Sequence, residues 1–260
     1  MRTIALIPGC SGNHRFTMYT HKSPLARKLG AFVELSAKEL AALEVFYQRR
    51  RSFEPGVDLV RQGQLGQLAY ILANGWVCSY KLLPNGTRQI VDFQVPGDFL
   101  GLRSVLFRTA DHNAETMTKV EVSEVSSNDL IDAFANTPRL ATAVLWAASR
   151  EEAMVVEHLI NIGRRTALER TAHLLLELGA RLKLVGLGTK EGYVCPLSQY
   201  MLADALGLSA VHINRVLRQL REEGLVTFRS NQVIFNNFDK LVAVAGFDMA
   251  YLDQDGPVLK

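Results

Sequence analysis

Between Phe53 and about Val125 the apolar residues fall in short runs, Leu68–Leu72, Trp76–Leu82, Arg88–Val95 and Lys119–Val125, rich in β-branched and aromatic side chains. Turn residues separate them regularly, at Pro55-Gly56, Gly63, Gly66, Asn74-Gly75, Pro84-Asn85-Gly86 and Pro96-Gly97. Strands at that spacing predict an antiparallel sandwich or barrel. Asn85-Gly86, between Tyr80-Lys81-Leu82 and Gln89-Ile90-Val91, reads as a hairpin turn in which both residues accept positive φ.

A helical period takes over from Asn128. Pro138 suits the first turn of a helix that runs to about Ile162 and is closed by Gly163. Leu140, Val144, Ala147, Met154, His158 and Ile162 form a stripe of mixed three- and four-residue steps along it, interrupted by Glu151. Such a stripe predicts a dimer helix paired with its own copy, or burial against the β region. Arg164–Lys183 reads as a second helix with Ala167, Leu174, Leu175 and Leu178 inward, and the glycine-rich Leu184–Tyr193 as a loop. Ahead of the β region, Arg15–Lys22 looks irregular; Ser36 then caps a helix, Glu39 completes a capping box, and Leu40, Leu43 and Tyr47 continue the stripe.

The most constrained stretch is Leu197–Leu217. Ser198 can cap a first helix, Ala203 is small where two helices cross, Gly207 can supply the positive φ that breaks the helix, and Ser209 can cap a second. Leu202, Leu206, Leu208, Ile213, Val216 and Leu217 would form the shared core. This is a helix-turn-helix pattern fixed by geometry rather than composition. The second helix then exposes His212, Asn214, Arg215, Arg218, Gln219 and Arg221. Arg suits guanine O6/N7, Asn or Gln suits adenine, and any of them suits phosphate. The alternative is a solvated face in which Arg218 and Arg221 answer Glu222 and Glu223; the preceding turn signature favours groove reading. After Gly224, Leu225–Arg229 and Gln232–Phe235 around Ser230-Asn231 predict a two-stranded wing with Arg229 at its tip.

Composition changes this little. Hydrophobic residues at 48% and charged residues at 21% are ordinary for a globular chain, and no apolar run approaches the roughly 20 residues of a membrane span. The net charge of +3 is small for 260 residues, but residues 1–52 hold nine Lys/Arg against three Glu. That start reads as a lead with a solvated face, or as a nucleic-acid- or partner-binding arm. Cys10, Cys78 and Cys195 are too far apart for a metal pair or a disulfide framework, and the apolar stretch Ile4–Ile7 is too short for a signal peptide, so a cytoplasmic location is expected. Cys78 and Cys195 sit among apolar residues and are expected to be buried, inert thiols.

With Gly63, Tyr70-Ile71-Leu72-Ala73-Asn74-Gly75, Pro96-Gly97-Asp98-Phe99-Leu100-Gly101 and the helix-turn-helix, residues 35–240 resemble the Crp/Fnr family of bacterial transcription regulators. The resemblance implies an α+β protein: an antiparallel, jelly-roll-like β-roll, a long dimerisation helix and a C-terminal winged helix-turn-helix. The expected boundaries are a basic lead 1–34, the β-roll sensor 35–137, the dimer helix 138–163, the winged helix 164–240 and a tail 241–260. It further implies a homodimer on a palindromic operator with half-sites about one DNA turn apart, and RNA polymerase as a partner. The expected DNA-binding residues are Ser209, His212, Asn214, Arg215, Arg218, Gln219, Arg221 and Arg229.

Departures from the family bear on the effector. The pocket candidates are Phe99, Gly101, Leu102, Arg103, Ser104, His112 and Asn113. Where a cyclic AMP site needs a Glu for the ribose and an Arg-Ser or Arg-Thr for the phosphate, this chain has Leu102 and His112-Asn113, so cyclic AMP is not expected in the usual way. Cys10 alone cannot replace the N-terminal cysteine cluster of the iron–sulfur sensors, so no iron–sulfur cluster is expected. In the recognition helix Val211 and Asn214 stand where relatives carry Glu and Arg or Ser, while Arg215 is kept. An operator differing from the common TGTGA and TTGAT half-sites follows. The alternatives are a cyclic-nucleotide- or haem-responsive regulator of the same fold, with His112 or Cys78 as axial ligand, or a cupin-like metal enzyme. The enzyme reading lacks ligands, since His112 is the only histidine in residues 53–125, and His14, His21, His158 and His173 read as surface or packing residues.

Overall fold

The computed structural model describes residues 23–65, 68–103 and 107–254. The expectations for Cys10, His14, His21, Arg15–Lys22 and Ser104 lie outside them. The chain begins with α1 (Pro24–Leu29), capped by Ser23, and α2 (Ala37–Phe46), where the Ser36–Glu39 capping box forms. Among the described residues eight strands follow: β1 (Arg50–Phe53), β2 (Asp58–Val60), β3 (Ala69–Asn74), β4 (Val77–Leu82), β5 (Arg88–Gln94), β6 (Phe99–Leu100), β7 (Asn113–Thr116) and β8 (Val120–Val125). They form two antiparallel sheets, in the orders β1-β8-β3-β6 and β2-β7-β4-β5. Leu72, Val77, Ala114 and Val122 share the core of this β-roll.

The β4–β5 turn differs from its expected form. Leu83 and Thr87 close a three-residue loop of Pro84, Asn85 and Gly86, in which only Gly86 has positive φ (83°). Pro84 fixes φ near the value a type I turn wants, and Gly86 then takes the left-handed position.

Three helices carry the chain on: α3 (Ser127–Asn136), α4 (Pro138–Arg164) and α5 (Ala167–Leu184). Pro138 opens α4 as expected, but Gly163 does not end it. The helix stops at Arg164, because Thr166 and Glu169 build a capping box that starts α5. The C-terminal unit adds β9 (Gly192–Val194), α6 (Gln199–Leu206), α7 (Ala210–Glu222), β10 (Val226–Arg229), β11 (Gln232–Phe235) and α8 (Phe238–Ala245). Its sheet has three strands, β10-β11-β9, so the expected Leu184–Tyr193 loop contributes a strand and the wing is wider than two strands. Gly192 permits that pairing, since a Cβ there would stand 2.0 Å from the Val233 carbonyl oxygen.

Within the described residues, the parts of the expected lead and tail at 23–34 and 241–254 are packed on the rest of the fold. Residues 23–34 bury Leu25, Leu29 and Val33, and Lys28 is 1% exposed. The ammonium is matched by the Asp98 carboxylate, which is why a basic helix can be internal. Beyond residue 240, Leu241, Ala245, Phe247 and Leu252 are buried. Arg150 of α4 donates to the Leu252 carbonyl at 2.7 Å, Trp146 donates to Asp253 at 2.5 Å, and the Tyr251 hydroxyl donates to Glu177 of α5 at 2.8 Å. A short helical turn, Met249–Leu252, thus straps the C-terminal unit to α4.

Candidate functional site

Two regions bring polar side chains together on this scaffold. The first is the exposed face of α7. Ser198 caps α6, Gly207 ends it at φ 63°, and Ser209 caps α7 by accepting from the His212 amide at 3.2 Å. Leu202, Leu206, Ile213, Val216, Leu217 and Leu220 are buried between the helices. Burying that stripe leaves Asn214, Arg215, Arg218, Gln219 and Arg221 outward, with His212 half-buried. Asn214 donates to Gln199 at 3.1 Å; Arg218 and Gln219 bond Glu222 and Glu223 at 2.7 and 2.9 Å. Arg215, Arg221 and Arg229 make no side-chain hydrogen bond or ion pair among the described residues. Arg229 flanks a two-residue wing turn in which Ser230 and Asn231 both take positive φ, 52° and 56°.

The second region is a cavity of about 410 Å³ between the β-roll and α4. Of the expected pocket residues, Phe99, Gly101, Leu102, Arg103 and His112 line it. Asn113 does not: its Oδ1 accepts from the Gln62 amide at 3.0 Å, because strand alternation turns neighbours to opposite faces. The sequence reading missed Ser79, Asp92, Gln94, Glu151 and Glu152, which also line it. Asp92 and Gln94 alternate along β5, the one local signal that both face the same side.

A buried charge network adjoins the cavity through Asp92, Glu151 and His158, which line it. Asp98 accepts from Lys28 Nζ at 2.8 Å, Arg181 Nη2 at 2.8 Å and the Val95 amide at 2.9 Å. Burial opposes its ionisation, yet Lys28 and Arg181 hold its carboxyl well below the usual range. Arg181 also reaches Asp92 at 2.9 Å. His158 places Nδ1 3.2 Å from the Val91 carbonyl and Nε2 3.0 Å from Glu177. Two acceptors require two ring protons, so the ring is an imidazolium. Burial works against that charge, but Glu177 outweighs it and raises the pKa to about 9.

The stripe expected to form the dimer helix faces inward instead. Leu140, Val144 and Ala147 pack on α1, α2 and the β-roll, Met154 packs in the C-terminal core, and His158 is held by Glu177. Only Ile162 of that set is exposed. The outward seam is another: Leu145, Ala148, Glu152, Val155, Leu159 and Ile162 repeat at steps of three and four, with Leu145 66% and Leu159 71% exposed. Periodicity detects a stripe but does not say which of two stripes meets the rest of the chain.

Cys78 and Cys195 are buried and free, and desolvation pushes their thiols up to about 11 and about 12. Among the described residues no cluster of His, Cys, Asp and Glu is placed to hold a metal, and no helix is long and apolar enough to cross a membrane.

Residues 50–137 match the model of the cyclic nucleotide-binding domain, and residues 169–244 that of the Crp-like helix-turn-helix domain. The nitrogen fixation regulation protein FixK of Bradyrhizobium diazoefficiens is 32% identical over 74% of this chain and 79% of its own length. The transcriptional activator protein Anr of Pseudomonas aeruginosa is 23% identical over 82% of this chain and 87% of its own. Among solved structures, FixK2 from Bradyrhizobium japonicum superimposes with a TM-score of 0.69 at 28% identity, covering 76% of this chain and 98% of that one. These relatives are regulators of transcription rather than enzymes.

Proposed function

Because the chain belongs to the Crp/Fnr family of transcription regulators, we propose that it acts as a homodimer that presents two α7 helices to a palindromic operator. The observation that carries this is the two-faced α7: one stripe locked into the C-terminal core, the other bearing Arg215 and Arg221, which make no side-chain hydrogen bond or ion pair among the described residues. The Arg215 guanidinium, one turn and a half into α7, is suited to guanine O6/N7, whereas Arg221 at the end of the helix and Arg229 on the wing suit phosphates. Val211 offers no acceptor for cytosine N4, so the half-site differs from TGTGA and TTGAT. RNA polymerase is the partner on the promoter, and the cytoplasm is where such a regulator works.

Dimerisation uses the Leu145-to-Ile162 seam. Its apolar residues are exposed in the single chain, and their spacing suits a parallel helix pair. The β-roll cavity is the effector site, without cyclic AMP in the usual mode: Leu102 lacks the acceptors for a ribose, and no iron–sulfur cluster is involved.

Selection on random DNA followed by a gel shift at several salt concentrations tests this. A palindromic site is expected, with an affinity that falls steeply with salt. Arg215→Ala should cost about 1–3 kcal/mol and relax preference at one base pair. Recovery of TGTGA or TTGAT unchanged, or a uniform loss across all sequences in Arg215→Ala, contradicts the assignment.

A further inference from the structure

We propose that the cavity between the β-roll and α4 takes a small organic cation, an amine or guanidine, held by Gln94, Glu151 and Glu152, and that its binding strengthens the α4 dimer seam. This rests on the effector-cavity reading above and names its ligand class.

Most charged groups around the cavity are already answered. Asp92 is paired with Arg181 at 2.9 Å, His158 with Glu177 at 3.0 Å, and Arg103 with Asp111 at 3.5 Å. What is left over is acceptor capacity. Gln94 is 7% exposed; its amide nitrogen donates to Ser79 at 2.9 Å and Asp92 at 3.0 Å, while its Oε1 is buried without a partner. An unsatisfied buried acceptor is costly and is relieved by a donor on a ligand. Glu152 makes no ion pair among the described residues, and the nearest cation to Glu151, Lys28 at 3.9 Å, is committed to Asp98. Burial, with Asp98 and Asp92 nearby, pushes the Glu151 carboxyl up to about 7 against the pull of Lys28 and Arg181. A cation beside it would restore the ionised form. An anionic phosphate would instead meet Glu151 and Glu152.

The seam supplies the link to function. Glu152 lines the cavity and also stands within the Leu145, Ala148, Val155, Leu159, Ile162 seam. In a parallel pair its carboxylate faces that of the second copy, a like-charge contact that weakens association. A cation held at Glu152 removes that repulsion.

The test uses the full-length chain with agmatine and putrescine as probes, cyclic AMP as the anionic comparison and 1,4-butanediol as the uncharged one. Calorimetry should show saturable agmatine or putrescine binding and none of butanediol. Glu152→Gln and Gln94→Leu should each weaken it by roughly tenfold. Sedimentation should show the dimer favoured by the amine. Glu152→Leu should dimerise without it, and it keeps the fold because position 152 is exposed. If cyclic AMP binds and neither amine does, or if no amine saturates at millimolar concentration, the proposal fails while the DNA-binding reading stands. Amine binding that leaves both dimerisation and operator affinity unchanged keeps the ligand class and overturns the link to the seam.

Discussion

Asp98 is the acceptor for two buried cations, and that predicts an asymmetry. In Asp98→Asn the Lys28 ammonium and the Arg181 guanidinium both lose their carboxylate; Lys28 keeps only Glu151 at 3.9 Å, while Arg181 keeps Asp92 at 2.9 Å. Breaking a buried pair from one side costs about 3–5 kcal/mol. In Lys28→Met the apolar stem stays packed and Asp98 keeps Arg181 and the Val95 amide, so the loss is about 1–2 kcal/mol. Urea unfolding separates them: with a slope near 3 kcal/mol per molar, the Asp98→Asn midpoint should fall by about 1 M or more and that of Lys28→Met by about half as much or less. The pH dependence gives a second check. A carboxyl held below its unfolded value stabilises fully above about pH 4 and loses that contribution as pH falls. The wild type should therefore lose stability on acidification below pH 4 more steeply than Asp98→Asn. Equal midpoints for the two variants, or an Asp98→Asn midpoint within about 0.3 M of wild type, would refute the assignment of Asp98 as the hub.

Three further outcomes follow from the same structure. Leu159→Glu places a charge on the exposed seam and should yield a monomer in sedimentation with near-normal thermal stability, whereas Leu140→Ala, fully buried, should cost about 2–5 kcal/mol and still dimerise. His158 is raised to about 9 by Glu177; its stabilisation is complete below its unfolded pKa and is lost as pH rises through about 9, so the melting temperature should fall between pH 7 and 9.5, a loss flattened in His158→Gln. Gly207→Val puts a β-branched residue at φ 63° and should lower the melting temperature and weaken operator binding together, seen by calorimetry and gel shift.

The helix-turn-helix was legible because its constraints are local: a serine cap, a glycine that must be left-handed and a second serine cap within twelve residues, Ser198 to Ser209. The β-roll was legible from turn residues and alternation. About a third of the cavity lining, between Phe99 and His112, followed from the resemblance. The rest came from residues distant in sequence, such as Ser79, Gln94 and Glu151, whose convergence no local period encodes. Lys28 read as a solvated charge because its partner lies 70 positions away. On α4 the sequence showed the stripe and left two directions open, pairing with a copy or burial against the β region; Leu140, Val144 and Ala147 take the second, and a further apolar stripe faces outward, because only packing decides which is internal.

Three segments of the chain meet at one carboxylate: α1 through Lys28, the β-roll through Asp98 and α5 through Arg181. This makes the β-roll and the C-terminal unit poor candidates for free exchange. A chimera that grafts this β-roll onto another regulator's C-terminal half would bring Lys28, Asp98 and Asp92 without Arg181: Lys28 would still answer Asp98, but Asp92 would lose its cation and leave the network one negative charge in excess. A working graft has to move residues 28, 92, 98, 177 and 181 as one block, so the natural cut point lies after the charge network and not at the start of the winged helix.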